Sequence, residues 1–299
     1  MKKALVVYHG PTCLDGMAAA WCMWQYLKDD AEYIVGRYQS VEDIDFAERV
    51  VYLVDFSYKR DFMEKHILPV AKMVYLIDHH ESALNELEGI EKEWPNIDTT
   101  YSSLLKSGAM LAKLFVSKFG PELDAPLIDI IQDRDLWNFN IASTKAVTAA
   151  LYALALDYKS IDKYMEMQEP FATELLTMGQ ALLTKQASDV AGIIAMGLRM
   201  VPAHVFAVDE PGLLIPVCNA PPMLSSDVGN ALAKEYPFAV TYHDMRTTRD
   251  YSLRSEKSNP NAMNVANIAL KFGGGGHKHA AGFKLKMEET WPHPVAWPL

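Results

Sequence analysis

Four short apolar runs, ALVVY (4–8), AEYIVG (31–36), VVYLV (50–54) and MVYLI (73–77), alternate with helical patterns at 17–27, 42–49 and 58–68. Strands spaced by helices predict a parallel sheet with right-handed crossovers. The runs are apolar almost throughout, as expected of strands covered on both faces. The stretch MAAAWCMWQYL (17–27) is apolar nearly all round, which predicts a helix buried against that sheet. Three of the strands stop abruptly at chemistry-bearing side chains. His9 and Asp15 follow the first, Asp55 follows the third, and Asp78, His79 and His80 follow the fourth. Ligands of open α/β sheets bind beyond the carboxyl ends of the strands, where these residues would converge.

The chain then turns helical. Ser107 is an expected N-cap for GAMLAKLFVSKF, with Gly120-Pro121 as its stop, and Asp124 to Ile131 runs into Gln132-Asp133-Arg134-Asp135-Leu136-Trp137. Residues 146–198 hold several helical stretches and no convincing strand. From Pro202 the character changes: HVFAV (204–208), LLIPVC (213–218), FAVTYH (238–243) and YSLRS (251–255) read as strands, with helices at 226–235 and 263–271. The expected organisation is an α/β chain in four parts. These are a parallel-sheet domain at 1–145, a helical linker at 146–198, a smaller α/β domain at 199–288 and an irregular Pro-rich tail at 289–299.

A formal net charge of −10 argues against a coat for duplex DNA and against a polybasic membrane binder. A short anionic substrate remains compatible, because local charges outweigh a distant negative surface. Three scattered cysteines make no disulfide framework, so a reducing cytoplasm is the expected compartment. The first residues lack a signal-peptide pattern, and no run of 18 apolar residues follows.

Mixed carboxylate and imidazole ligands suit divalent ions such as Mn²⁺ or Mg²⁺, and a bridging carboxylate can hold two of them for phosphoryl transfer. Asp133 adds a further carboxylate after a helix. Near the far end, Gly273-Gly274-Gly275-Gly276-His277 reads either as a flexible loop or as a nest whose backbone N–H groups close on an anion. Arg254, on a neighbouring strand, can take a phosphate bidentately.

Six blocks in order, HGPTCLDG (9–16), Asp55 in VVYLVDF, LIDHH (76–80), IIQDRDLW (130–137), YSLRS (251–255) and FGGGGHKHAAGF (272–283), resemble the DHH phosphoesterase superfamily with a C-terminal DHHA1 domain. The likeness is to its branch of small oligonucleotide phosphodiesterases. The resemblance implies two divalent metal ions, Mn²⁺ with Mg²⁺ or another divalent ion as alternatives. His9, Cys13 and Asp55 would hold the first; Asp15, the bridging Asp55, His79 and Asp133 would hold the second. Asp78 would orient the neighbouring imidazole and His80 would face the scissile phosphate. Arg254, Gly274, Gly275, Gly276 and His277 would bind the nucleotide end of the substrate, with the active site between the two domains. Cys13 departs from the pattern, which usually has an aspartate there. A thiolate would favour a softer ion, and a neutral thiol would be a small apolar filler. The implied activity is hydrolysis of short single-stranded oligonucleotides or linear dinucleotides to mononucleotides, with a homodimer left open. The alternatives are a phosphatase acting on a terminal monoester of a pAp-like nucleotide, and a nucleotide-binding sensor with an impaired first metal site.

Overall fold

The structure, a computed structural model, describes residues 2–36 and 44–289, and the chain divides into two compact units, 1–183 and 184–299. In the first unit β1 (Ala4–Tyr8), β2 (Ala31–Val35), β3 (Val50–Val54), β4 (Met73–Ile77) and β5 (Ile97–Asp98) form an all-parallel sheet in the order β2-β1-β3-β4-β5. The first four strands are those the sequence predicts. The two residues of β5 are too few to leave a periodic signal. The chain leaves β1 for β2 on one side and returns past β1 to β3 on the other, so the switch point of the sheet lies between β1 and β3.

Helices cover both faces. They are α1 (Leu14–Leu27), α2 (Arg60–Phe62, continued by a π-turn to Ile67), α3 (Glu81–Glu86), α4 (Ile90–Glu93), α5 (Gly108–Phe119), α6 (Leu127–Asp135), α7 (Thr144–Ala153), α8 (Asp162–Met165) and α9 (Phe171–Gly197). Side chains alternate along each strand. Val6, Val54 and Ile77 therefore pack with Trp21, Phe115, Ile128 and Leu151 on one face. Leu5, Val7, Val51, Leu53 and Leu76 pack with Met63, Ile67 and Ile90 on the other. Burial of α1 from Leu14 to Met23 accounts for its apolar circumference. Ser107 caps α5, its Oγ accepting from Met110 N at 3.4 Å, and α5 ends at Gly120.

One expected helix is absent. Of residues 42–49, the first two lie outside the described residues and 44–49 form a turn. Asp45 Oδ1 accepts from Ala47 N at 3.1 Å, a side-chain bond that competes with helical pairing, and Glu48 takes φ 59°.

The second unit contains β6 (Arg199–Pro202), β7 (Leu214–Asn219), α10 (Pro222–Ala233), β8 (Ala239–Asp244), β9 (Thr248–Arg254), α11 (Val265–Leu270), β10 (Gly275–His277) and β11 (Ala280–Lys286). Its mixed sheet runs β10-β11-β9-β8-β7-β6, parallel only between β7 and β8. The division from the first unit falls inside α9. HVFAV is not a strand: Ala203–Phe206 is a 3₁₀ turn ended by Ala207 at φ 55°, and the strand precedes it in β6. Phe206 and Val208 are buried all the same, so the apolar signal was genuine and only its geometry differed. The expected tail beyond residue 289 lies outside the described residues. No helix among the described residues is long and apolar enough to cross a membrane.

The turn from β1 into α1 depends on Gly16, where a Cβ would stand 2.0 Å from the carbonyl oxygen of His9. Gly16→Ala should destabilise the protein by about 1–3 kcal/mol, the usual scale of overpacking. A fall in the urea midpoint with an unchanged slope would report it.

Candidate metal centre

The parallel ladder runs one residue past the strands: His9 N donates to Val54 O at 3.4 Å and Asp55 N to Ile77 O at 2.9 Å. This aligns His9, Asp55 and the Asp78-His79-His80 turn along the carboxyl edge. Asp55 takes φ 51°, a left-handed conformation that a non-glycine residue adopts only when its surroundings hold it. The N-terminus of α5 abuts it so closely that a Cβ on Gly108 would lie 2.4 Å from the Asp55 Cβ. Asp15, in the first turn of α1, accepts from Gly108 N at 2.6 Å and Ala109 N at 3.1 Å. Those bonds tie the starts of α1 and α5 together and satisfy two otherwise unpaired donors.

Two triads result: His9, Asp55 and His80, and Asp15, His79 and Asp135, each with ligand atoms within 4.8 Å of one another. Asp55 faces both. Its Oδ2 lies 3.4 Å from His9 Nδ1, while its Oδ1 lies 3.1 Å from His79 Nε2. His79 Nε2 is also 3.7 Å from Asp15 Oδ2 and 3.5 Å from Asp135 Oδ2. Asp78 is fully buried and turned to the backbone, its Oδ1 accepting from His79 N and His80 N and standing 2.7 Å from His80 Nδ1. It therefore fixes the His80 ring, as a buried outer carboxylate does at metal sites.

The charges in this cluster are unbalanced. Burial and the neighbouring carboxylates Asp55 and Asp135 push the Asp15 carboxyl well above its ordinary value. Asp135 sits at the exposed rim of its triad, where the surrounding protein desolvates its carboxyl and, with Asp55, raises its pKa against the pull of His79. Burial opposes ionisation of Asp55 too, but the close imidazoles of His79 and His9 hold its carboxyl well below the usual range. Burial disfavours the His79 cation, yet Asp55, Asp135 and Asp15 push its pKa up to about 10. Asp55 Oδ1 and His9 Nδ1 are buried without a well-aligned hydrogen bond, although the first faces His79 and the second faces Asp55. Buried carboxylates crowded together beside unsatisfied imidazole and carboxylate atoms form a donor set that fits divalent cations.

Asp133, expected to hold the second ion, lies outside the Asp15, His79 and Asp135 triad. Its carboxylate accepts from Asn140 N at 2.9 Å, Ile141 N at 3.0 Å and Thr144 Oγ1 at 2.5 Å. Those three bonds outweigh burial and lower its pKa. Asp135, which the sequence analysis passed over, stands in its place. A carboxylate in the last position of α6 opposes the helix dipole, and the nearby His79 imidazole offsets that. Cys13 lies beside both triads and belongs to neither. It caps α1 by accepting from Gly16 N, and its thiol donates to Asp55 Oδ2 at 3.5 Å. Burial, then Asp55 and Asp15, push that thiol well above its ordinary pKa. Tyr152 on α7 is exposed.

In the second unit, Arg254 pairs with Ala280, and Ala280 with His277, so Arg254 and His277 share one row of the sheet. The Arg254 guanidinium donates to Ser252 Oγ, Leu253 O and Ser226 Oγ at 2.7–2.9 Å. Only part of the glycine run is a turn. Gly273 N and Gly274 N donate to Leu270 O and Ala269 O, closing α11, and Gly275 and Gly276 lie in β10. Glycine is required there because a Cβ would lie 2.1 Å from Gly282 O at Gly274 and 2.5 Å from Ala280 O at Gly276.

The manganese-bound exonuclease RecJ shares this fold, with a TM-score of 0.54 at 15% identity, over 94% of this chain and 86% of that one. That likeness is one of fold. The pGpG-specific phosphodiesterase PggH from Vibrio cholerae aligns over 96% of this chain and 95% of its own, with 16% identity and a TM-score of 0.46. Uncharacterized protein R106 of Acanthamoeba polyphaga mimivirus is 29% identical over 296 residues, 93% of this chain, which spans 66% of that protein's length. No family model matches the chain.

The two aspartates of α6 should separate cleanly on substitution. Asp133→Ala leaves three donors without their charged acceptor and should cost about 3 kcal/mol of stability at pH 7. Because the folded pKa of Asp133 is lowered, its contribution is present above the unfolded value and fades as pH falls through the folded one. Asp135→Ala should instead leave thermal stability without metal nearly unchanged and lower the calorimetric stoichiometry of Mn²⁺ binding. For Cys13, a hydrogen-bonded thiol predicts that the Co²⁺-loaded protein shows no intense thiolate-to-cobalt band in the near ultraviolet.

Proposed function

We propose that this chain is a metal-dependent phosphodiesterase that hydrolyses short single-stranded oligonucleotides or linear dinucleotides to mononucleotides. The observation that carries this reading is Asp55, whose two oxygens face the imidazoles of two separate His/Asp triads at the switch point of the sheet. His9, Asp55 and His80 would hold one divalent ion, and Asp15, His79 and Asp135 the other, with Asp55 between them. Mn²⁺ is the metal proposed. When bound, the ions supply the Lewis acidity and low-pKa water that phosphoryl transfer needs. The chain's own part is positioning. Asp78 holds the His80 ring by Nδ1, the bonds from Gly108 and Ala109 fix Asp15, and the turn at Asp55 aims its carboxylate. The six ordered sequence blocks favour a nucleotide substrate, and Arg254 and His277 are the proposed phosphate-binding residues of the second unit.

The deciding experiment incubates protein and Mn²⁺ with a dinucleotide panel and, separately, with a 3′-phosphorylated nucleotide of the pAp type. Mononucleotide products from the dinucleotides are expected. Release of inorganic phosphate from the monoester alone would establish a phosphatase, and tight nucleotide binding without turnover would establish a sensor. Asp55→Ala should lower kcat/KM on the order of 10³-fold, since several kcal/mol of charge stabilisation is lost.

A further inference from the structure

Beyond the metal centre, the segment joining α6 to α7 displays aromatic rings and cations together. Trp137 and Phe139 are edge to face, with ring centroids 4.8 Å apart and an interplanar angle of 76°. The Arg134 guanidinium carbon lies over the Trp137 ring, 4.0 Å from its centroid, and 5.5 Å from that of Phe139. Lys145 Nζ stands 4.8 Å from the Phe139 centroid.

Neither ring is core. Both are half-buried, their neighbours Asn138 and Asn140 are exposed, and neither ring belongs to any of the four apolar clusters among the described residues. The backbone that displays them is strained, with Trp137 at φ 57° and Phe139 at φ 53°, a left-handed conformation that bulky side chains rarely adopt. Asp133 sustains it. Its carbonyl accepts from Asn138 N and Phe139 N, and its carboxylate accepts from the next two amides and from Thr144. A strained turn over-determined in this way at the edge of a reactive centre is where function is expected. Asp135, one of the candidate ligands, lies only two residues before Trp137, so the turn that carries the rings begins at the edge of the centre. Tyr152, on α7, is an exposed aromatic side chain as well.

Aromatic faces interleaved with Arg and Lys form the combination that holds single-stranded nucleotides: bases stack on the rings while the cations meet the phosphates. We infer that Trp137 and Phe139 form a base-stacking subsite in which the nucleobase next to the scissile phosphate lies against the rings, with Arg134 and Lys145 at its phosphate. The inference rests on the phosphodiesterase reading of the metal centre, and it assigns the wall that would recognise the base.

The test compares binding of a 5′-mononucleotide and of ribose 5-phosphate, which lacks the base, by calorimetry with the Mn²⁺-loaded protein. Wild type should prefer the nucleotide tenfold or more, the scale of one base–aromatic stack. Trp137→Leu should abolish most of that preference, and Trp137→Phe should retain most of it. No preference in wild type, or an unchanged preference in Trp137→Leu, would overturn the subsite. A second measurement needs no variant. Dinucleotides carrying 5-iodouracil at each position in turn are irradiated on the wild-type protein and the adducts mapped by mass spectrometry. Adducts on Trp137 or Phe139 are expected; adducts confined to other segments would overturn the inference. Dinucleotide hydrolysis is scored separately. Base preference and cross-linking without hydrolysis would defeat the phosphodiesterase reading alone, whereas hydrolysis without them would defeat the subsite alone.

Discussion

The carboxylate of Asp55 is the constraint on which the first unit depends. It is buried, ionised and set on a left-handed backbone, with its two oxygens turned to different imidazoles. Each of those features costs free energy, and the surroundings offset the cost in identifiable ways. The amide of Asp55 continues the β3–β4 ladder through Ile77, the absence of a side chain at Gly108 lets α5 approach, and Asp15 anchors the start of that helix. The sheet order places β1 and β3 side by side, so the residues that follow them meet without any long loop.

The segment from Asp133 to Thr144 shows how one stretch divides its labour. Two aspartates two positions apart on a helix point in different directions. One is turned inward to organise a strained turn, while the other is left beside His79. The turn presents the Trp137 and Phe139 rings, with Arg134 and Lys145 of the flanking helices against them. Structure and chemistry are thus coupled through Asp133, although its own carboxylate lies in neither triad.

Much of this was legible from the sequence. Apolar runs of five residues between helical patterns predicted β1 to β4, and Ser107 and Gly120 marked α5 because capping chemistry is local. The strand-end positions of His9, Asp55 and Asp78 to His80 followed from the same periodicity. Less legible were the pieces whose geometry depends on partners: the turn at 44–49, the 3₁₀ turn at Ala203–Phe206, the two-residue β5 and the glycine-rich β10. A glycine run carries no side-chain pattern. Only the close approach of β11 shows why Gly274 and Gly276 must lack a Cβ.

The sequence by itself determined the α/β architecture of the chain and the clustering of carboxylate and imidazole groups at one edge of a parallel sheet, because strand period and strand order constrain both. Tertiary structure alone decided which groups face one another. It put Asp135 rather than Asp133 beside His79, placed His80 with His9 and Asp55, and gave the Cys13 thiol to Asp55 as a hydrogen-bond donor. The physical reason is that spacing along a helix fixes the angle between two side chains but not which of them faces the protein. That choice is made by the packing of α6 through Ile128 and Ile131 and by the turn that Asp133 closes.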